Sequence, residues 1–207
     1  MTIKEYRKQV ADQKRQAILD AAIKNFLTIG YERATLEMVA KDAGVSTATV
    51  YKHFPTKRAL FGGIMERIWS TELKLIDQTA DSAEPAVILT TIGKEYARLL
   101  RQPNIEALFR VIIAEASRFP ELGEELYRRG KEPYLKRLHE YLQNETSKKR
   151  FQIKDISLAT RQFLGMINDL IFWPRFLITG LEISEAEVEQ VVIEAVKTFL
   201  ARYEVRS

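Results

Sequence analysis

The residues of this chain best suited to chemistry with an external partner are Thr47, Thr49, Tyr51, Lys52 and His53, which fall within one short stretch. Hydroxyls, a phenol, an ammonium and an imidazole are groups that hydrogen-bond phosphate oxygens and base edges. No catalytic grouping accompanies them. The chain has no cysteine and two histidines, His53 and His139, which excludes disulfides, thiolate metal sites and cysteine nucleophiles. Neither histidine sits in an HExxH pattern, and no glycine-rich phosphate loop occurs. His139, beside Glu132 and Glu140, reads as a solvated helix face, and Ser117 has no base in sequence reach. The expectation is a protein that is not an enzyme and carries neither metal nor cofactor.

What positions the polar stretch is the segment TLEMVAKDAGVSTATVYKHFPTKRALF, residues 35–61. Val39, Ala40, Ala43, Val45 and Val50 recur at helical spacing. Gly44 stands where a left-handed residue ends a helix. Ser46 is placed to N-cap the next helix, with Val45 and Val50 as a hydrophobic staple. Two short helices joined by a tight turn result, a helix-turn-helix whose second helix presents the polar set to a major groove. Upstream, Ile18, Ala21, Ala22, Phe26 and Ile29 make an amphipathic helix over residues 12–29, ended by Gly30, while residues 1–11 read as a polar basic arm or helix extension. Thr35 is a good N-cap. Phe54-Pro55 stops the recognition helix, and Thr56 caps a fourth, long helix that runs through Leu60, Phe61, Ile64, Ile68, Leu73 and Ile76 to about Ala80. Lys57, one position into that helix, opposes the helix dipole. It therefore gains little from the fold, which favours a phosphate contact.

Charge agrees with this placement. The net charge is +4 over 207 residues, and the first sixty residues hold eleven basic against six acidic side chains, so the whole positive excess lies with the helix-turn-helix. That is what a phosphate-binding module requires. The opening MTIKEYRKQ lacks the apolar core of a signal peptide, and no run approaches the ~20 apolar residues of a membrane span. A cytoplasmic protein with no membrane partner is expected.

These residues resemble the tetracycline-repressor (TetR) family of bacterial transcription regulators, over roughly residues 14–61, with GVSTATVYKHFPTKRAL as the most specific part. The resemblance implies that Thr35, Lys57, Tyr51 and His53 hold backbone phosphates, with Ser46 at the helix start, and that Thr47, Ala48, Thr49 and Lys52 lie nearest the bases. Lys52 departs from the aromatic or serine often found there. Downstream, FRVIIAEASRFPELGEELYRRG resembles the effector domain of a subgroup that includes efflux-pump regulators.

From Glu84 onward the chain reads as successive helices, with Pro85 and Pro103 opening two of them and a break at Phe119-Pro120. The polar run QNETSKKRFQIK, residues 143–154, is the loop candidate. A helix over residues 155–179 should kink at Pro174. The last helix opens with a Ser184/Glu187 capping box and an Ile183/Val188 staple. An all-α fold of about nine helices follows, divided into a DNA-binding domain over 1–60 and an effector and dimerisation domain over 61–207. The last two helices, through Phe163, Leu170, Val188, Val192, Val196 and Phe199, are apolar enough to form a four-helix interface with a second copy. For a small, largely apolar effector the candidate contacts are Trp69, Phe109, Arg110, Phe163, Ile167, Asn168, Asp169 and Phe172. Asn168 and Asp169 interrupt an apolar run and need polar partners if buried. The expected function is a repressor that binds palindromic double-stranded DNA as a homodimer and is released by that effector. The alternatives are a helical protein–protein adaptor or an effector-independent DNA-binding protein.

Overall fold

The computed structural model describes residues 2–79, 84–102 and 104–205, the side chains of 70–79 excepted. Pro103, Ala80 and the side chains of Leu73 and Ile76, each named above, lie outside the described residues. The described chain is helical, with no strand; one isolated bridge pairs Phe151 with Glu204. None of its helices is long and apolar enough to cross a membrane. It divides into two compact units, one of residues Met1–Arg67 with Ala107–Arg129, the other of Ile68–Glu106 with Gly130–Ser207.

In the first unit, α1 (Ile3–Arg33) begins nine residues before the expected start at Asp12. The cause is local: Thr2 and Glu5 form a capping box, Thr2 Oγ1 accepting from the Glu5 amide and Glu5 accepting from the Thr2 amide at 2.6 Å. Gly30, at φ 83°, interrupts the helix where expected. Helices α2 (Leu36–Asp42) and α3 (Thr47–His53) follow, capped by Thr35 and Ser46. Gly44 takes the left-handed conformation (φ 65°) and closes the turn between them. Ile18, Leu19, Ala22, Phe26, Val39, Val50, Phe54, Leu60, Phe61 and Ile64 form the core, each nearly or fully buried. The start of α4 (Lys57–Thr79) carries Gly63 under Phe54. A β-carbon there would stand 2.5 Å from the Phe54 ring, so Gly63→Ala is expected to destabilise the protein by about 1–3 kcal/mol, an overpacking penalty read by chemical denaturation. The unit also takes in most of α6 (Ile105–Glu115), α7 (Glu121–Glu125) and part of a π-helical turn over Leu126–Lys131.

The second unit contains α5 (Pro85–Leu100), α8 (Glu132–Ser147), α9 (Ile156–Ile171), α10 (Trp173–Leu177) and α11 (Glu185–Tyr203). α5, α9 and α11 pack on one another, α8 and α10 on α9. Gly93 makes the close approach possible, since a β-carbon there would meet Val192 at 2.7 Å and Ile167 at 3.2 Å. Phe163 stacks edge-on against Phe199 at 5.5 Å. The helix expected over 155–179 breaks just before Pro174, whose missing N–H and ring end α9 and start α10. The Ser184/Glu187 capping box is present.

Two expectations are corrected here. Residues 143–147 are the last turn of α8, and the rest of the polar run is a tight structured return. Glu145, fully buried, pairs with Arg150 and Lys148, and Phe151 is buried beside them. The run reads as a loop throughout because the partners of its charges are set by the turn itself. The second correction concerns the dimer stripe. Phe163, Val188, Val192, Val196 and Phe199 are all at or below 6 % exposure within one chain, because α5 covers that face. Of the six, Leu170 alone is open, at 55 %.

Candidate DNA-binding surface

Thr35 and Ser46 each accept a hydrogen bond from a backbone amide of the helix they cap: Thr35 Oγ1 from the Met38 amide and Ser46 Oγ from the Thr49 amide, both at 3.2 Å. Each hydroxyl satisfies a helix start as acceptor. The Ser46 and Thr49 hydroxyls also lie 2.8 Å apart, one donating to the other. Thr47, Ala48, Tyr51 and Lys52 are exposed, Thr49 and His53 half-buried. α3 thus turns Thr47, Tyr51 and Lys52 outward, with Thr49 and His53 partly covered, on a seven-residue helix held by its cap and by buried Val50.

Tyr51 carries a constraint that the sequence did not reveal. Its phenol donates to Glu37 Oε1 at 2.9 Å, which raises the Tyr51 pKa and helps to lower that of Glu37. A phosphate taking this donor must displace Glu37, so the tyrosine is held in position before any ligand arrives. His53 is also perturbed. Burial, then the charges of Arg15, Lys52 and Lys14, push its pKa below the ordinary histidine value, with Asp12 opposing. Lys14 and Arg15 were not read as part of the site. The signal was present in their charge, but nothing in the sequence says that α1 brings them beside α3.

Lys57 corrects a specific argument. Its ammonium donates to the carbonyls of Tyr31, Glu32 and Ala34 at 2.7, 2.9 and 3.1 Å and lies 4.6 Å above the Tyr31 ring. All three N–H donors are in use. Burial lowers its pKa, with Glu115, Glu121 and Glu32 acting the other way. Far from gaining little from the fold, Lys57 ties the start of α4 to the segment joining α1 and α2. The same joint is held from α6 by Glu115, whose carboxylate accepts from the Tyr31 and Glu32 amides at 2.8 and 2.9 Å. Arg118 pairs with Glu32. Nearby, buried Glu125 receives Arg58, Arg128 and Arg129; burial raises its pKa, but these hydrogen bonds prevail and hold it below the usual carboxylate value.

The eight residues proposed around an effector are divided between the two units. Phe109 and Arg110 belong to the first unit and the rest to the second. Phe163 and Ile167 are fully buried in the α5–α9–α11 packing, and Asp169 is turned to the exposed side of α9. Asn168 accepts a long hydrogen bond from Tyr96 (3.4 Å), whose ring lies 5.4 Å from Tyr134. Trp69 packs edge-on against Tyr134 at 6.1 Å, and its buried indole N–H has no hydrogen-bond partner. Phe172 is buried and stacks on Phe176 at 5.5 Å. The contact of Tyr96 with Tyr134 depends on how α5 and α8 come together, which the sequence does not show.

No grouping of three or more potential metal ligands occurs among the described residues. Residues 18–64 match the family model for bacterial regulatory proteins of the tetR family. Residues 87–205 match that for the C-terminal domain of AefR-like transcriptional repressors. The uncharacterized HTH-type transcriptional regulator YhgD of Bacillus subtilis is 40% identical over 75 residues, 36% of this chain and 37% of that protein. The HTH-type transcriptional regulator RutR of Escherichia coli is 35% identical over 96 residues, 45% and 42% of the two chains. The chain thus spans about two-fifths of the length of these curated relatives. Among solved structures, a TetR-family regulator from Mesorhizobium loti superposes with a TM-score of 0.80 at 29% identity, covering 94% of this chain and 98% of that one. The flavonoid-responsive regulator FrrA superposes with a TM-score of 0.72 at 25% identity, covering 95% and 100%. With its helix-turn-helix and its C-terminal helices both matched, the chain belongs to the TetR family of bacterial transcriptional regulators.

Proposed function

We propose that the protein is a ligand-responsive repressor that binds a palindromic operator as a homodimer. The observation that carries the DNA reading is the α3 face, where Thr47, Ala48, Tyr51 and Lys52 stand exposed on a helix capped by Ser46. Thr47, Ala48, Thr49 and Lys52 meet base edges, and Thr35, Ser46, Tyr51 and His53 meet phosphates. Lys57 acts one step back, by holding the α1–α2 joint. Two such modules on one dimer occupy successive major grooves, roughly 34–36 Å apart. The test is selection from random duplex DNA at about 0.15 M salt, near physiological ionic strength, with molar mass measured alongside. An enriched palindrome bound by a dimer supports the reading; salt-sensitive binding without enrichment overturns it and favours an adaptor.

The dimer face we assign is the outer side of α9 and α11. Met166, Asp169, Leu170, Gln190, Val191, Glu194, Ala195 and Thr198 line a largely apolar groove of about 490 Å³ there. Helix pairs of this kind associate into four-helix interfaces.

For the effector, Trp69, Tyr96, Tyr134 and Asn168 offer aromatic surface with a few polar groups, the usual make-up of a ligand pocket. The unpartnered Trp69 N–H favours a molecule with an acceptor. The solved relative FrrA is by its name flavonoid-responsive, in keeping with an aromatic effector. A ~100-fold loss of operator affinity requires about 2.7 kcal/mol of coupling between the sites.

His53 provides a pH signature. The folded, unliganded protein holds it neutral near pH 7, since its pKa is already below the ordinary value. Phosphate beside it favours the charged form. DNA binding therefore takes up a proton, and affinity is expected to rise as pH falls from 7 toward 5.5. Measured dissociation constants across that range should show the rise in the wild type and lose it in His53→Gln.

A further inference from the structure

The first turns of α1 stand out from the core and carry an uncompensated positive face. Residues 2–9 are all exposed. At about 100° per residue, Lys4, Arg7, Lys8, Lys14 and Arg15 fall within an arc of about 120°. Lys4 and Lys8 are like charges at i,i+4, a spacing that destabilises a helix by a few tenths of a kcal/mol (~0.2–0.5). Lys4 also sits in the first turn, where the dipole disfavours cations. None of Lys4, Arg7, Lys8 and Lys14 has an ion-pair partner among the described residues. The nearest carboxylates are occupied or aside: Glu5 closes the capping box, Asp20 pairs with Arg67, and Asp12 borders the arc.

The face joins the recognition helix at its inner end. The Arg15 guanidinium lies 4.8 Å above the ring of Phe54, the residue that ends α3, and also pairs with Glu66. Lys14 and Arg15 are close enough to depress the His53 pKa. From Arg15 the helix carries Lys4 a further 16 Å or so outward, at about 1.5 Å per residue.

We propose that the N-terminal turns of α1 form a second phosphate-binding surface, in which Lys4, Arg7, Lys8 and Lys14 follow the DNA backbone beyond the segment read by α3. Charge complementarity and continuity with the α3 face identify the occupant as duplex DNA. The inference rests on the DNA reading above and extends it by enlarging the footprint without adding base contacts. Its expression is a salt dependence steeper than the helix-turn-helix alone provides, by about 0.9 in logarithmic slope for each phosphate contact.

The experiment compares wild type with Lys4→Gln/Arg7→Gln/Lys8→Gln in the full chain, on the selected sequence and on random duplex. Glutamine is a good helix former, and circular dichroism verifies that the helix remains. The expected result is a slope shallower by about 1–3 per bound chain on both duplexes, with an unchanged selected sequence. Trimming the flanks of the duplex should remove the difference between the two proteins, a readout independent of the variant's stability. Equal slopes on both duplexes overturn the inference, as does a variant that loses binding to anionic vesicles while its DNA slope stays that of the wild type. If the wild type selects no sequence, the operator reading fails, and the slopes on random duplex still decide this one.

Discussion

Lys57→Met is expected to lower the stability of the protein by about 2–4 kcal/mol, because three charge-assisted hydrogen bonds disappear and water regains only part of the loss. The acceptors are the carbonyls of Tyr31, Glu32 and Ala34, which lie around the turn that sets α2 against α1. Methionine preserves the stem and much of its packing on Tyr31, so the change isolates the ammonium. In thermal unfolding the loss corresponds to roughly 5–15 °C for a chain of this size. Lys57→Arg should recover little, since a planar fork does not reproduce three donors diverging from one atom. The effect on operator binding is secondary: at a temperature where the variant is folded, affinity should return toward that of the wild type. A variant with unchanged unfolding and lost DNA binding would reverse the assignment and restore a direct phosphate contact.

Leu170→Glu is expected to convert the proposed dimer to a monomer and reduce operator affinity by about 10²-fold or more, because two tethered half-site contacts become one. Leu170 is 55 % exposed and lines the groove between α9 and α11. A carboxylate there adds to Asp169 and Glu194, so a symmetric contact would bring like charges together. The folded chain should tolerate the change, since an exposed position contributes little to the core. Sedimentation gives the mass and circular dichroism the fold. The companion change Val192→Glu, at a fully buried position of α11, should instead unfold the protein. A Leu170→Glu protein that remains dimeric would direct attention away from this groove.

The contrast between Leu170 and Val192 shows how the reading of the sequence divided. Periodicity identified α9 and α11 as apolar helices, and their caps and the proline break fell where local chemistry put them. Periodicity does not say which neighbour covers an apolar stripe. α5 covers Val192 and its companions, and the stripe that seemed available to a partner is internal. For Asp169 the same reasoning applies in reverse: a carboxylate inside an apolar run looked buried, and the helix rotates it outward.

The helix-turn-helix was legible almost residue by residue, since each of its signals acts within four or five positions. Gly44 turns left-handed, Ser46 and Thr35 cap, and Pro55 ends α3, with no help needed from distant chain. Thr2 with Glu5 is of this kind too, and its capping box could have been seen. Lys57 is different. Its partners are some 25 positions upstream, and their carbonyls converge on it through the crossing of α1, α2 and α4. Glu115 reaches the same joint from 84 positions downstream. Local hydrogen bonding wrote the reading helix into the amino-acid order; the hands that hold it in place are long-range contacts, and those exist once the helices have packed.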